Sequence, residues 1–227
     1  MGSFDVVPFW HVNVPERERT AECPEFLRGL SAKDLRGVST PDSAYEILSW
    51  AEVARIVTAN RLERFQRVPS QLRRYKQFSH QTAAGRHGSV AAFVLEERLR
   101  WAGPGASRPS GAPPFTCPDD YKVLYNDWPY GLDSRIVHLV VWTKFELVAD
   151  ADTGDLTDKA RAEIEDYVSR TFRARMPEGN VMWFKNWAAL KSIHAVEHFH
   201  VMLFDPNPDF IREVTNGDIP QCNKFID

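Results

Sequence analysis

The segment from Ile193 to Phe204 holds the densest group of side chains that could do chemistry. It places His194, His198 and His200 within seven positions of an otherwise apolar run. Side chains alternate between the two faces of a strand, so the three imidazoles share one face if the strand is unbroken. Glu197 then points the other way or sits at a bulge. Buried polar groups are costly unless paired or used, so this pattern predicts a functional histidine face with His198 or His200 as a general base.

Two other interpretations of the histidines stay open. His198 and His200 form a His-x-His pair of metal ligands, and His138 could add a third from a neighbouring strand if the register allowed it. No further ligand spacing is evident, so we expect neither a metal nor a cofactor. In the other interpretation the imidazoles are core groups that donate hydrogen bonds to backbone carbonyls.

Two aromatic segments carry further polar side chains. The first is Tyr125–Gly131, which places Asn126, Asp127, Trp128 and Tyr130 in a turn-forming segment before an apolar strand. Loops at strand ends often hold functional groups. The second is Trp183–Trp187, followed by Lys191 and Ser192, where aromatic rings beside amide and ammonium groups suit a planar or anionic ligand. A packed turn and a core strand with lysines reaching the surface are the structural alternatives.

The chain that positions these motifs has 227 residues, of which 43% are hydrophobic and 26% charged, as in a globular protein. No apolar run is long enough for a membrane span, and the start, Met1–Asp5, lacks a secretory signal. Three scattered cysteines favour a reducing compartment over a disulfide framework. We therefore expect a cytoplasmic protein with no membrane partner.

The order of patterns predicts one α+β domain over residues 1–227, with a helical N-terminal half packed on a small, mostly antiparallel sheet. Helical patterns occupy residues 1–101, a Pro/Gly-rich loop covers 102–118, and residues 119–227 form the sheet-bearing half with the candidate site. Predicted strands are the apolar run inside Arg135–Val148, then Val181–Trp187 and Ile193–Phe204, the last two joined as a hairpin. Thr157 is predicted to cap an amphipathic helix between the first two.

A basic segment runs through the helical half. Residues 55–100 contain ten Arg or Lys and three Glu, although the whole chain has a net charge of −3. Such a segment in an otherwise acidic protein suggests an anionic partner, although charge runs often only face solvent. Arg67, Arg73, Arg74 and Lys76 are the candidates for contacting a nucleic-acid backbone.

Several motifs together resemble the fungal N-acetylglucosamine-induced protein family, over nearly the whole chain except the Pro/Gly loop. They are Pro8–Trp10, Cys23–Leu27, Ser39–Asp42, Phe65–Ser70, Leu72–Tyr75, Leu124–Gly131, Trp142–Lys144, Trp183–Trp187 and Glu197–Val201. Some members of that family are arginine-containing cyclodipeptide synthases, which take arginine and a second amino acid from charged tRNAs and release a diketopiperazine. The resemblance therefore implies arginyl-tRNA and a second aminoacyl-tRNA as partners.

The residues are compatible with that reaction. An aminoacyl-tRNA ester is already activated, and the sequence contains no phosphate-binding loop for ATP. Lys191, Asn186 or backbone amides could stabilise an oxyanion, and Ser192 or Thr143 could serve as a nucleophile. Glu197 or Asp127 could pair with the substrate guanidinium. The full set of expected site residues comprises Glu197, His198, His200, Ser192 and Lys191 for catalysis, and Asp127, Asn126, Trp128, Tyr130, Asn186, Thr143 and Lys144 for substrate binding.

Two other function classes remain. The run His198–Met202 partly imitates the alternating His-φ-His-φ-His pattern of histidine-triad nucleotide hydrolases and transferases, with Met202 where the third histidine belongs. The other is a non-enzymatic regulatory protein of the same family, in which the histidines are structural.

Overall fold

The computed structural model describes residues 7–187, 190–191 and 193–225 and has an α+β fold, with helices in the N-terminal half and the sheet in the C-terminal half. The α-helices are α1 (Ala32–Val38), α2 (Trp50–Thr58), α3 (Pro69–Ala84), α4 (Val90–Phe93), α5 (Asp158–Thr171) and α6 (Pro208–Val214). Helix α4 continues as a π-helical segment, Val94–Leu99. The strands are β1 (Tyr121–Tyr125), β2 (Ile136–Thr143), β3 (Val181–Phe184) and β4 (Glu197–Phe204).

The four strands form one open antiparallel sheet in the order β1-β2-β4-β3. The two long central strands pair from Ile136 opposite Phe204 to Thr143 opposite Glu197. Both are buried along nearly their whole length, which explains the apolar character of their sequences on both faces.

Each face of the sheet has its own cover. One face carries Leu139, Val141, Phe199, Val201 and Leu203, which pack with α5 and α6 in one apolar core. The opposite face packs against the N-terminal half in two smaller clusters, around α2 and around the α4–π-helical segment. His138, His198 and His200 lie on this second face, because they alternate with the residues of the first core.

Local signals in the sequence set several helix starts. Ser49 and Glu52 form a reciprocal capping box at the start of α2, and the Thr157 hydroxyl accepts from the Ala160 amide at the start of α5. Pro69 occupies the first turn of α3, where a missing amide hydrogen costs nothing. The start at Thr157 was predicted from the sequence.

The strands are shorter than their sequence patterns. β3 ends at Phe184 rather than Trp187, and β4 begins at Glu197 rather than Ile193. A strand needs a neighbour to hydrogen-bond with, and β2 ends at Thr143, opposite Glu197. The residues before Glu197 therefore have no partner strand, and the predicted strand over Ile193–Phe204 was wrong in its first four positions.

Residues 100–117 contain no helix or strand, as the Pro and Gly content predicted. Within the described ranges, no helix is both long enough and apolar enough to span a bilayer.

Candidate functional site

The histidine face of the sheet borders a cavity, which we call the inner chamber. It lies between β1, β2 and β4 on one side and α3 with the α4–π-helical segment on the other, has a volume of about 80 Å³ and is partly open to solvent. Its wall is largely aromatic. The lining side chains that matter for chemistry are Arg67, Tyr75, Asn126, Asp127, Trp128, Tyr130, Trp142, Asn186, His198 and His200.

Three buried side chains form a hydrogen-bonded chain along the chamber wall. His200 Nδ1 lies 2.9 Å from His138 Nε2, and the Asn186 amide nitrogen lies 3.1 Å from His200 Nε2. With the Asn186 amide donating, His200 must carry its proton on Nδ1 and donate it to His138. Both ring nitrogens of His200 are then occupied, so His200 holds the wall in place and has no free lone pair for a substrate.

His198 has a different environment, with one nitrogen free. Its Nδ1 lies 2.9 Å from the carbonyl oxygen of Val196, which fixes the proton on Nδ1. Its ring packs against Trp142, with centroids 4.5 Å apart. The Nε2 lone pair has no hydrogen-bond partner among the described residues, and the side chain lines the inner chamber.

All three imidazoles are held neutral at physiological pH. Burial lowers the pKa of His138 to about 3, with a further contribution from the Arg67 charge. Burial lowers the pKa of His198 to about 4, although the Val196 carbonyl acts in the opposite direction. Burial also places the pKa of His200 well below its usual value. The chamber wall therefore contains neutral imidazoles, of which His198 keeps its Nε2 lone pair available to accept a proton or a hydrogen bond.

The loop before β2 closes one end of the chamber and is fixed by internal bonds. The Asn126 side-chain oxygen accepts from the Trp128 amide at 3.0 Å, and its nitrogen lies 3.2 Å from His138 Nε2. Asp127 pairs at 2.9 Å with the buried Arg98, whose other side binds Asp218 through two bonds of 2.8 Å. Burial raises the pKa of Asp127, although Arg98 acts against the rise. The expected partner of Asp127, a substrate guanidinium, is thus replaced by an internal one.

Glu197 lies on the face of the sheet away from the chamber, as the strand alternation predicted. Its carboxylate meets Lys191 Nζ at 2.8 Å and Lys185 Nζ at 3.3 Å. Burial acts to raise its pKa, but the two lysines outweigh burial and lower it. Two mostly buried ammonium groups already neutralise Glu197, so the structure does not favour the prediction that Glu197 selects a substrate guanidinium.

Several other expected site residues lie away from the chamber. Thr143 is on the opposite face and donates its hydroxyl to the Phe145 carbonyl at 2.8 Å, which does not suit a nucleophile in the chamber. Lys144 lies 5.3 Å from the Trp101 ring centroid. His194 precedes β4 and is exposed, so it does not share the face of His198. Ser192 lies outside the described residues.

A second, wider cavity opens from the inner chamber, and we call it the outer mouth. Arg67, Tyr75, Tyr130 and Asn186 line both cavities and so mark the neck between them. The outer mouth is also lined by residues of α1, α3 and the segment after β3. Its charged side chains are Lys33, Lys76 and Lys191, together with Arg67 at the neck, and the carboxylates Asp34 and Glu46.

The candidate nucleic-acid contacts are largely occupied inside the protein. Arg73 donates to the Trp10 carbonyl at 3.1 Å, and Arg74 donates to the Phe225 carbonyl at 2.7 Å. Lys76 forms an ion pair with Asp34 at 2.7 Å. All three side chains are partly buried rather than exposed, so much of the basic segment stabilises the fold.

The described residues contain one group with the spacing of metal ligands, and it lies outside the chamber. His87, Glu96 and Glu97 bring their ligand atoms within 4.8 Å of one another, and His87 Nδ1 already lies 2.6 Å from Glu96. His138, His198 and His200 do not form such a group.

Three parts of the site were missed in the sequence. His138 was considered only as a metal ligand, although a histidine inside an apolar strand was a visible signal of a buried polar network. Arg98 is one basic residue among ten in its segment, and nothing local marks it as buried. Tyr75 on α3 supports Arg67, whose guanidinium carbon lies 4.2 Å from the Tyr75 ring centroid.

The chain belongs to a family described as a protein of unknown function, DUF3605, whose model matches residues 49–204. It is 27% identical over 187 residues to N-acetylglucosamine-induced protein 1 of Candida albicans, covering 74% of this chain and 73% of that protein. It is 27% identical over 170 residues to an uncharacterized protein of Saccharomyces cerevisiae, covering 72% and 82%. The crystal structure of a protein named HTC1 is similar, with a TM-score of 0.63 and 26% identity over 76% of this chain and 97% of that one.

Proposed function

We propose that this DUF3605 protein is a tRNA-dependent cyclodipeptide synthase, which joins arginine and a second amino acid from their aminoacyl-tRNAs into a diketopiperazine. The observation that carries the proposal is the inner chamber with the free Nε2 lone pair of His198 in its wall. The resemblance of the motifs to a family with such members supports the same reaction.

The reaction requires only proton transfer and positioning. The α-amine of one aminoacyl ester attacks the carbonyl carbon of the other, the new amide forms, and one tRNA leaves through its terminal hydroxyl. The free amine of the resulting dipeptidyl ester then attacks the remaining ester carbonyl, which closes the ring and releases the second tRNA. Both esters are activated beforehand, so neither step consumes ATP.

His198 is suited to take the proton that each attack releases. An α-amine becomes strongly acidic as its nitrogen bonds to carbonyl carbon, so a weak base is sufficient at that stage. The low pKa of His198, about 4, keeps it neutral and able to accept. Its bond to the Val196 carbonyl keeps Nε2 as the accepting atom.

The rest of the chamber suits an aminoacyl group. Aromatic rings from Phe78, Phe93, Trp128 and Trp142 line it, and a guanidinium stacks favourably on such rings. The Asp127 carboxylate also lines this space, where it pairs with Arg98. The surface that the chamber offers to an arginine side chain is therefore mainly aromatic.

The test is production of arginine-containing cyclic dipeptides in a bacterial host that expresses the chain, followed by mass analysis of the medium. Purified protein with a charged total tRNA mixture should make the same product, and uncharged tRNA should give none. His198→Gln should reduce product by on the order of 10²- to 10⁴-fold. His194→Gln, an exposed histidine four positions away, is the matched control and should retain activity. A folded protein that makes no cyclic dipeptide from the charged mixture would refute the proposal.

The free lone pair of His198 also favours one second candidate, a nucleotide hydrolase or transferase in which Nε2 attacks phosphorus. The third position of the histidine-triad pattern is Met202 instead of a histidine, so the pattern is incomplete. Met202 is fully buried opposite His138. Release of a nucleoside monophosphate from its amide by the wild type, but not by His198→Gln, would support this candidate instead.

A further inference from the structure

The neck between the inner chamber and the outer mouth holds an arginine that the protein does not neutralise. Arg67 donates through Nε to the Trp128 carbonyl at 2.9 Å, and its guanidinium packs on Tyr75. Within residues 7–187, 190–191 and 193–225, no carboxylate forms a salt bridge with it. The Nε bond and the ring fix the guanidinium plane, so its two terminal nitrogens remain for an external acceptor.

We propose that Arg67 binds the phosphodiester that joins the last two nucleotides of the tRNA and holds it at the neck. This deepens the proposed function and rests on it. The terminal aminoacyl-adenosine then lies on the inner-chamber side of the neck. The rest of the tRNA end lies in the outer mouth.

The shape and charge of the two cavities favour a phosphodiester over a free carboxylate. A ligand bound at the neck continues outward as well as inward, since Arg67, Tyr130 and Asn186 line both spaces. The outer mouth adds the exposed Lys33 beside that outward path, whereas Lys76 and Lys191 there are paired with Asp34 and Glu197. A planar guanidinium binds two phosphate oxygens at once, which also fixes the direction in which the chain enters the chamber.

The experiment measures binding of cytidylyl-(3′→5′)-adenosine and its neutral methylphosphonate analogue by isothermal titration calorimetry. The two ligands share both bases and sugars and differ only in the charge of the linking group. The wild type should bind the charged ligand at least about tenfold more tightly, as a desolvated charge-assisted bond implies. Equal affinity for the two ligands in the wild type would overturn the proposal.

Variants locate the effect at Arg67. Arg67→Met should bring the affinity ratio close to one, and Arg67→Lys should leave an intermediate ratio, because an ammonium keeps the charge and loses the fork. Arg161→Met is the matched control, since Arg161 also lies near an aromatic ring, Trp183, but on the other side of the sheet. If Arg67→Met does not fold, the wild-type comparison and Arg67→Lys still decide the outcome. A wild-type ratio that persists in Arg67→Lys and Arg67→Met would overturn the assignment.

Three further outcomes separate this inference from the proposed function. Tighter binding of adenosine 5′-monophosphate than of the dinucleotide would assign the neck to a free nucleotide and overturn the tRNA assignment. Cyclic dipeptide formation by a protein with no charge preference would overturn the role of Arg67 and leave the proposed function standing. An Arg67-dependent preference in a protein that makes no cyclic dipeptide would uphold the phosphodiester site and refute the synthase.

Discussion

His200 Nδ1 lies 2.9 Å from His138 Nε2, although the two residues are not opposite each other in the sheet. In the register, His138 faces Met202 and His200 faces Val140, so the imidazoles meet on the diagonal. The contact closes the wall of the inner chamber and keeps two imidazoles away from water. It also makes the fold sensitive to protons.

Stability should fall as the pH is lowered through the range in which free histidine titrates. Three imidazoles have folded-state pKa values below their usual 6.5, about 3 for His138 and about 4 for His198, because of burial. The unfolded chain therefore binds more protons than the folded chain between about pH 6.5 and 4, and stability decreases with falling pH in that window. At one unit below 6.5 each imidazole should cost about 1 kcal/mol.

Urea unfolding at a series of pH values between 7.5 and 5 measures this slope. His198→Gln removes one of the three groups and should make the decline shallower by roughly a third. An unfolding free energy that stays constant from pH 7.5 to 5 would contradict the burial of neutral imidazoles.

Substitution of His200 should mainly affect stability. The side chain is 6% exposed and both ring nitrogens are bonded, to His138 and Asn186. His200→Ala removes a large buried ring and leaves two partners unsatisfied, so we expect a loss of about 2–5 kcal/mol. Thermal melts of His200→Ala and of the exposed-site variant His194→Ala provide the comparison, and equal melting temperatures would contradict it.

The alternation of side chains along β4 could be predicted from the sequence, but the start of the strand could not. Glu197 and His198 lie on opposite faces, as a period of two requires. The first residue of β4, however, is set by the end of β2, more than fifty positions earlier in the chain. Helix caps were predictable because the residues that form them are three positions apart.

The contacts inside the site also could not be predicted from local sequence patterns. Arg98 reaches Asp127, 29 positions away, and Asp218, 120 positions away, so no short motif contains the cluster. The chemistry of the loop before β2 was recognised, but not that its carboxylate had an internal partner. Long-range pairing of this kind follows from the packed fold and not from spacing.

Glu197→Gln should lower stability without changing which amino acids are joined. Lys185 and Lys191 are mostly buried and rely on this carboxylate, so its loss should cost about 1–2 kcal/mol. Glu213→Gln, which breaks a solvent-exposed pair with Arg175, should cost much less. Chemical denaturation of both variants tests the difference. Loss of arginine-containing product at unchanged stability would instead return Glu197 to the substrate site.

Substitution of Lys33 should change tRNA binding without changing stability, unlike substitution of the arginines of α3. It lines the outer mouth, is exposed, and forms no salt bridge within the described part of the chain. Arg73, Arg74 and Lys76 hold other parts of the protein, so changes there would mix stability with binding. Lys33→Gln should weaken tRNA binding and reduce the log–log salt slope by roughly 0.7–0.9, the value for one phosphate contact.

Lys159→Gln on α5, across the sheet from the mouth, should leave the slope unchanged. Filter-binding or fluorescence titrations at several salt concentrations give both slopes, and an equal slope in wild type and Lys33→Gln would show that tRNA does not pass along this side of the mouth.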